Sequence, residues 1–280
     1  MLGRITREAE KLTINGSGIQ GIQSLSASYS SAAQPTTALG IGGAIDYYPQ
    51  GPQQANLEVG TILTQLLPPN AGYSRDLMQN FTGTFPFSGV VDYGAKQFYF
   101  TEGYLETYSV KCGIGQIPET STNSVIYGNF GTGAKFDSWE QTSSTSPSLN
   151  ITSYGSMEIN LDTFSTNRVS SFDVNIATPR VPLYALGIDQ PTGVIAGTPI
   201  EVNVNFELEV DDYEIKSMRL SPDETVFKNT VITLKKNDSH DILLRYDFDN
   251  MLLTSESFNG GVDSNVKMNF NLRSFILREK

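Results

Sequence analysis

Ser24-Leu25-Ser26-Ala27-Ser28, running on to Pro35-Thr36-Thr37-Ala38-Leu39-Gly40, returns 147 positions later as Ser171-Phe172-Asp173-Val174-Asn175, running on to Pro182-Leu183-Tyr184-Ala185-Leu186-Gly187. A second pair of segments keeps the same order. Tyr104-Leu105-Glu106-Thr107-Tyr108-Ser109-Val110 before Gly113-Ile114 is echoed, at an offset of 148, by Leu252-Leu253-Thr254-Ser255-Glu256-Ser257-Phe258 before Gly261-Val262. Order and spacing together point to one fold duplicated in tandem, and a domain-sized period argues against a many-repeat solenoid.

The chain's 280 residues suffice for two domains of about 100 to 150 residues, each with its own core. Thr, Ser, Val, Tyr and Phe are abundant while helix formers rarely cluster, which favours strands. Period-two alternation is clearest where Val202, Val204, Phe206, Leu208 and Val210 face one way and Glu201, Asn203, Asn205, Glu207 and Glu209 the other. Leu57, Val59, Thr61 and Leu63 form a weaker version of that strand in the first half. Strands are also predicted over 22–28, 104–110, 120–127, 155–161, 170–176, 231–234 and 263–272. With no recurring helical crossover between them, antiparallel pairing is the expectation. Thr36 to Gly40 and Leu183 to Gly187 are read as short helical turns ending on a glycine cap.

The domain reading is residues 1–127 for the first unit with its N-terminal arm, 128–153 for a Gly-, Ser- and Thr-rich linker or long loop, and 154–280 for the second. Trp139 within the linker is read as an anchor against a domain or a neighbouring subunit, since a free indole leaves apolar area uncovered. Tyr47 and Tyr48, followed by Pro49, read as interface or core residues.

The chemistry of the chain points away from catalysis. His240 is the single histidine and lies in a polar turn, Lys235 to Asp241, while no nucleophile motif such as Gly-x-Ser-x-Gly is present. The lone Cys112 allows no internal disulfide and no thiolate metal cluster. Glycine runs at 16–18, 40–43 and 131–133 lack the Lys-Ser or Lys-Thr of a phosphate loop, and Glu209, Asp211, Asp212 and Glu214 lack the calcium-loop spacing. No cofactor or metal is expected. The formal net charge of −11 disfavours a basic nucleic-acid groove, and no aromatic platform with interleaved cations accompanies it. The sequence begins without the apolar run of a signal peptide and contains no apolar stretch of membrane-spanning length, so assembly in a cytoplasm is the expectation.

Gly21-Ile22-Gln23-Ser24-Leu25-Ser26-Ala27-Ser28-Tyr29, the Ala-Leu-Gly after it, Gly103-Tyr104-Leu105 through Ser109-Val110, Gly115-Gln116-Ile117-Pro118 and Thr120 resemble tail tube proteins of tailed bacteriophages. The resemblance implies an all-β chain with a minor helix, built as two tandem antiparallel β-sandwich or β-barrel domains. It further implies a virion structural protein forming stacked rings of the tail tube that conducts double-stranded DNA during ejection. A duplicated chain would complete a pseudo-hexameric ring with three copies. Implied partners are other copies of the chain, the tape measure, terminator and baseplate proteins, and DNA passing without sequence-specific binding. On this reading Glu58, Glu201, Glu207 and Glu209 face the lumen, and a trimer carrying a charge of about −33 repels the phosphate backbone. Because Glu58 is the only carboxylate on its strand, lumen charge would alternate round the ring. Tyr47, Tyr48 and Trp139 would lie between subunits, and segments 66–97, 128–150 and the arm 1–11 between rings. Two other readings compete: a baseplate hub, terminator or head-to-tail component of the same fold, and a carbohydrate-binding or adhesive module.

Overall fold

The computed structural model describes residues 11–19, 21–30, 33–38, 40, 42–49, 54–63, 86–93, 97–133, 151–161, 164–186, 190–209, 227–237, 241–261 and 264–276. Its first half contains β1 (Lys11–Ile14), β2 (Ser17–Ile19), β3 (Ile22–Ser30), β4 (Ala33–Thr37), β5 (Ala44–Pro49), β6 (Gln54–Ile62), β7 (Phe87–Asp92), β8 (Gln97–Gly113), β9 (Glu119–Ile126) and β10 (Phe130–Thr132). Its second half contains β11 (Met157–Leu161), β12 (Phe164–Thr166), β13 (Val169–Ala177), β14 (Arg180–Leu183), β15 (Gly193–Ala196), β16 (Ile200–Glu209), β17 (Phe227–Lys235), β18 (Ile242–Gly261) and β19 (Ser264–Ile276).

Strand pairing repeats pair for pair. In the first half β1 pairs with β2 and β7, β3 with β6, β4 with β5, β6 with β9, and β8 with β7 and β9. In the second half β11 pairs with β12 and β17, β13 with β16, β14 with β15, β16 with β19, and β18 with β17 and β19. The irregularities repeat as well. The register shift between Ile22 and Ser24 recurs between Val169 and Ser171, and that between Leu105 and Thr107 recurs between Leu253 and Ser255. Glu102 and Asn250, 148 positions apart, both hold the left-handed conformation, at φ 55 and 53. A non-glycine residue seldom adopts that region, so its recurrence just before the same bulge marks a bend built into both copies.

That bend makes the core. Before Gly103, β8 is flanked by β7 and β10; beyond it, by β9 and β13. The first part of β8 thus belongs with β7 and β1, and their apolar residues Leu12, Val91 and Phe100 join Leu57, Val59, Leu105 and Val110 in one buried cluster. The second half does the same with Ile159, Ile232, Phe206, Leu253 and Phe270, and the cluster runs unbroken through both. In β16 the alternation buries Val202, Val204, Phe206 and Leu208, each stabilising by about 2 kcal/mol, and leaves Glu201, Asn203, Asn205 and Glu207 on the opposite face. The β1–β2 hairpin turns on Asn15-Gly16, both at positive φ, with Ile14 opposite Ser17; glycine meets that demand at no steric cost.

Two expectations about fold class are corrected. Among the described residues there is no helix, and the two stretches read as helical turns begin in the hairpin strands β4 and β14. Pro35 and Pro182 sit inside these two-stranded ribbons, where proline is tolerated because one edge needs no donor. Nor does any sheet close into a barrel, and the halves are not two separate sandwiches. A single 15-stranded sheet passes through both. The reason is strand order: β3-β6-β9-β8 puts β3 and β8 at opposite ends of the first repeat, and β8 spends its outer edge on β13.

A buried hydrogen bond links the halves inside the core. The hydroxyls of Tyr108 and Tyr246 lie 2.6 Å apart, and burial pushes the Tyr246 phenol well up. Tyr108→Phe alone strands one hydroxyl and is expected to cost about 2 kcal/mol, whereas Tyr108→Phe with Tyr246→Phe should cost no more than either single change. Urea unfolding midpoints of the three variants measure this directly.

Candidate assembly surface

The join between the halves is the best-defined interface in the molecule. Strand β13 runs antiparallel to β8 with Phe172 opposite Cys112, Val174 opposite Val110 and Ile176 opposite Tyr108, all buried. Burial pushes the Cys112 thiol up to about 11, which holds it protonated and unreactive. Thr152 tightens the far end by donating to the carbonyls of Gly113 and Gln116.

The β14–β15 hairpin leaves the end of β13 and reaches over the other face of the first repeat. Val194 packs with Tyr104, Val125 and Tyr127. Arg180, 8% exposed, donates from Nε to the Leu105 carbonyl at 2.7 Å and sets its guanidinium 5.9 Å from the centre of the Tyr104 ring. The Thr178 amide donates to the Glu106 carbonyl at 2.7 Å. Burial drives the shifts here: it lowers the Arg180 guanidinium, raises Tyr104, and raises Tyr127 to about 12. A second-half hairpin therefore clasps the first half over a dry patch.

The outer edges of the run β3-β6-β9-β8-β13-β16-β19-β18 lack such a cover among the described residues. Among the described residues β3 pairs only with β6, and the β18 edge opposite β19 is unpaired beyond Leu252, which stands opposite Phe227, the first residue of β17. Neither edge carries the usual protection against pairing. Ile22–Ser30 contains no charge and no proline, and residues 252–261 contain only Glu256. Tyr29, where the other repeat has Ile176, is 49% exposed; Phe258, where the other repeat has Val110, is 47% exposed. Glu256 stands in the position of Tyr108, its Oε1 buried without a hydrogen-bond partner and its pKa raised by burial.

The four carboxylates singled out from sequence share one polar face of the sheet. Glu201, Glu207 and Glu209 lie along β16, and Glu58 is exposed on β6 between Ser26 and Asn123. Glu201 accepts from Asn203 Nδ2 at 2.9 Å and pairs with Arg273 at 2.8 Å, and these partners hold its carboxyl below the usual range. Glu207 pairs with Lys267 at 2.6 Å, and that hydrogen bond holds the Lys267 ammonium up; Glu209 stands opposite the same lysine. A Ser- and Asn-rich row crosses this face strand by strand, through Ser24, Gly60, Ser121, Ser109, Asn175 and Asn203. The charges of the face include Glu58, Glu106, Glu119, Asp173 and the three glutamates of β16 against Lys111, Lys267 and Arg273; each of these three cations pairs with a carboxylate, and the face is acidic in sum.

Tyr47 lies on β5 and is 67% exposed; Tyr48 is next to it on the same strand. Trp139, His240, Asp211, Asp212, Glu214, the arm 1–10 and most of 66–97 and 128–150 lie outside the described residues, although Phe130–Thr132 of the supposed linker forms β10 on β8. Among the described residues no group of three or more His, Cys, Asp or Glu side chains could hold a metal.

Sequence reading missed Arg180, Tyr104, Tyr127 and Val194 at the clasp, and Tyr29 and Phe258 at the edges. The two offsets held the signal for the edges: laid over Ile176 and Val110, Tyr29 and Phe258 are core-type residues left about half exposed, Tyr29 with one ring face stacked on Phe130. No protein-family model matches the chain, and no curated protein matches it in sequence.

Proposed function

We propose that this chain is a ring-forming structural subunit of a phage tail tube, joined head to tail by its own sheet edges. The observation that carries the reading is the β8–β13 junction together with two edges, unpaired among the described residues, that repeat its halves. Carrying the internal register across to a second copy sets β3 of one chain against β18 of the next, with Ala27 opposite Phe258, Leu25 opposite Gly260 and Tyr29 opposite Glu256. Large residues then meet small ones, and the Tyr29 phenol comes beside the carboxylate that lacks a partner. Such a contact is heterologous, so it closes only as a ring.

Copy number is set by size. The strands β3, β6, β9, β8, β13, β16, β19 and β18 span about 38 Å per chain, so three chains leave about 37 Å between opposite backbones while two leave about 24 Å, most of it filled by side chains. Three copies give a pseudo-hexameric ring wide enough for a DNA duplex. With the polar face inward, the lumen is Ser- and Asn-lined and negative in sum, which offers phosphate no array of cations to bind. Assignment to the tail tube, with its tape measure, terminator and baseplate partners, rests on the resemblance of the repeat segments to tube proteins.

Negative-stain electron microscopy of the purified chain over a concentration series tests this. Hollow filaments of stacked three-fold rings are expected. Single rings that never stack would move the assignment to a hub or terminator, and monomers at every concentration would overturn it in favour of a binding module.

A further inference from the structure

We infer that the β4–β5 hairpin of one copy clasps the next copy over β18 and β19, with Tyr47 seated on Leu252, Arg273 and Phe275. The inference rests on the ring reading above, because it places a second contact beside the β3–β18 edge. Its warrant is the internal clasp. The two hairpins pair in the same register, Ala33 opposite Pro49 matching Arg180 opposite Ala196. Each comes two or three residues after the strand that supplies the junction, β3 or β13.

The hairpins differ in what they touch. The β14–β15 hairpin buries Val194, Ala196 and Arg180 against the first repeat. Every residue of β4, and Ala44 to Tyr47 of β5, is exposed, including Ile45 at 54% and Tyr47 at 67%. A ribbon that leaves Ile45 and Tyr47 uncovered by the described residues of its own chain has the chemistry of a contact awaiting its partner.

The face to receive it is present on the second repeat. Shifting Tyr104, Val125 and Tyr127 by 148 gives Leu252, Arg273 and Phe275, while shifting Val194 back by 147 gives Tyr47. Phe275 is 47% exposed. The cation is kept in sum although it changes sides. In the internal clasp Arg180 on the hairpin lies over Tyr104 on the face; here the hairpin has Ala33 in that place, and the face supplies Arg273, already 4.7 Å from the centre of the Phe275 ring. A larger Tyr47 in place of Val194 meets a smaller Leu252 in place of Tyr104. Volume and charge are exchanged across the contact, which is what complementary surfaces of a duplicated chain require.

Sedimentation velocity of the full chain, with Tyr47→Asp, Phe275→Ala, Tyr47→Ala and the Tyr47→Ala/Phe275→Ala pair, tests the clasp. Tyr47→Asp should raise the concentration needed for assembly at least tenfold with no change in thermal unfolding of the monomer. Each alanine change should raise it several-fold, and the pair little more than either alone. Assembly of Tyr47→Asp at the parent concentration overturns the clasp and leaves the edge reading standing. Normal rings of Tyr47→Asp that fail to stack also overturn it, by placing the hairpin between rings. A parent chain that never assembles overturns the edge reading and the clasp together.

Discussion

Phe258→Lys is expected to leave a folded monomer and to abolish rings. The side chain is 47% exposed on an edge unpaired among the described residues, so the isolated chain loses little when it changes. In the assembled edge the same position takes the place of Val110, which is fully buried against Val174. A lysine there would be desolvated opposite Ala27 with no carboxylate in register, and Glu256, two residues away on the same strand, faces Tyr29. Losing an aromatic anchor at the centre of a contact costs about 3 kcal/mol, and burying an unpaired ammonium adds to it. The assembly concentration should therefore rise by more than about a hundredfold. Light scattering measures that rise, and an unchanged thermal midpoint separates it from misfolding.

Arg180→Ala should cost the isolated chain about 3 kcal/mol. Two contributions add: a charged hydrogen bond to the buried Leu105 carbonyl, and the guanidinium packed over Tyr104. The substitution also leaves that carbonyl short of a donor in a patch closed by Val194 and Tyr127. Arg180→Lys should recover only a small part, because an ammonium cannot lie flat on the ring while donating along the same line. Guanidinium unfolding reads the loss. Limited proteolysis should cut the β14–β15 hairpin first, since Arg180 and Val194 are what hold it down.

The alternation of β16 was legible because it is written in neighbouring residues, and the duplication because each repeated segment is continuous and keeps its order at offsets of 147 and 148. Val202 to Leu208 need no distant information to declare a core face. Closure of the sheet was different. Whether β8 returns to β3 or passes to β13 depends on which edge wins a pairing about 65 residues away, and nothing local to Tyr104–Val110 states it. The helical turns were misread for a related reason. Thr36-Thr37-Ala38-Leu39-Gly40 has a glycine where a helix cap would have one, but Gly40 at φ 90 lies in the turn that returns β4 to β5.

The carboxylates were read as lumen-facing with no cations named beside them, because only Glu201, Glu207 and Glu209 stand together in sequence. Their partners Arg273 and Lys267 come from β19, some sixty to seventy residues on, and only the β16–β19 register brings them opposite. Arg180 was passed over because an arginine after a proline looks like any surface cation until the hairpin folds it onto Tyr104. Tyr47 could be singled out because two adjacent tyrosines before a proline are unusual, although the face proposed for it follows only from matching the two repeats strand by strand.

On the proposed assembly, copies of this chain join β3 to β18 in the register that β13 and β8 already use. Ser28→Cys with Ser257→Cys tests it, because those residues match Asn175 and Ser109, which stand directly opposite one another. Both serines are exposed, and directly opposed strand residues lie within disulfide range. Under mild oxidation, non-reducing electrophoresis should show covalent dimers and trimers with nothing larger accumulating, and each single variant should stay monomeric. Absence of a cross-link in assembled material, or a faster one from Ser28→Cys with Ser255→Cys, would contradict the account.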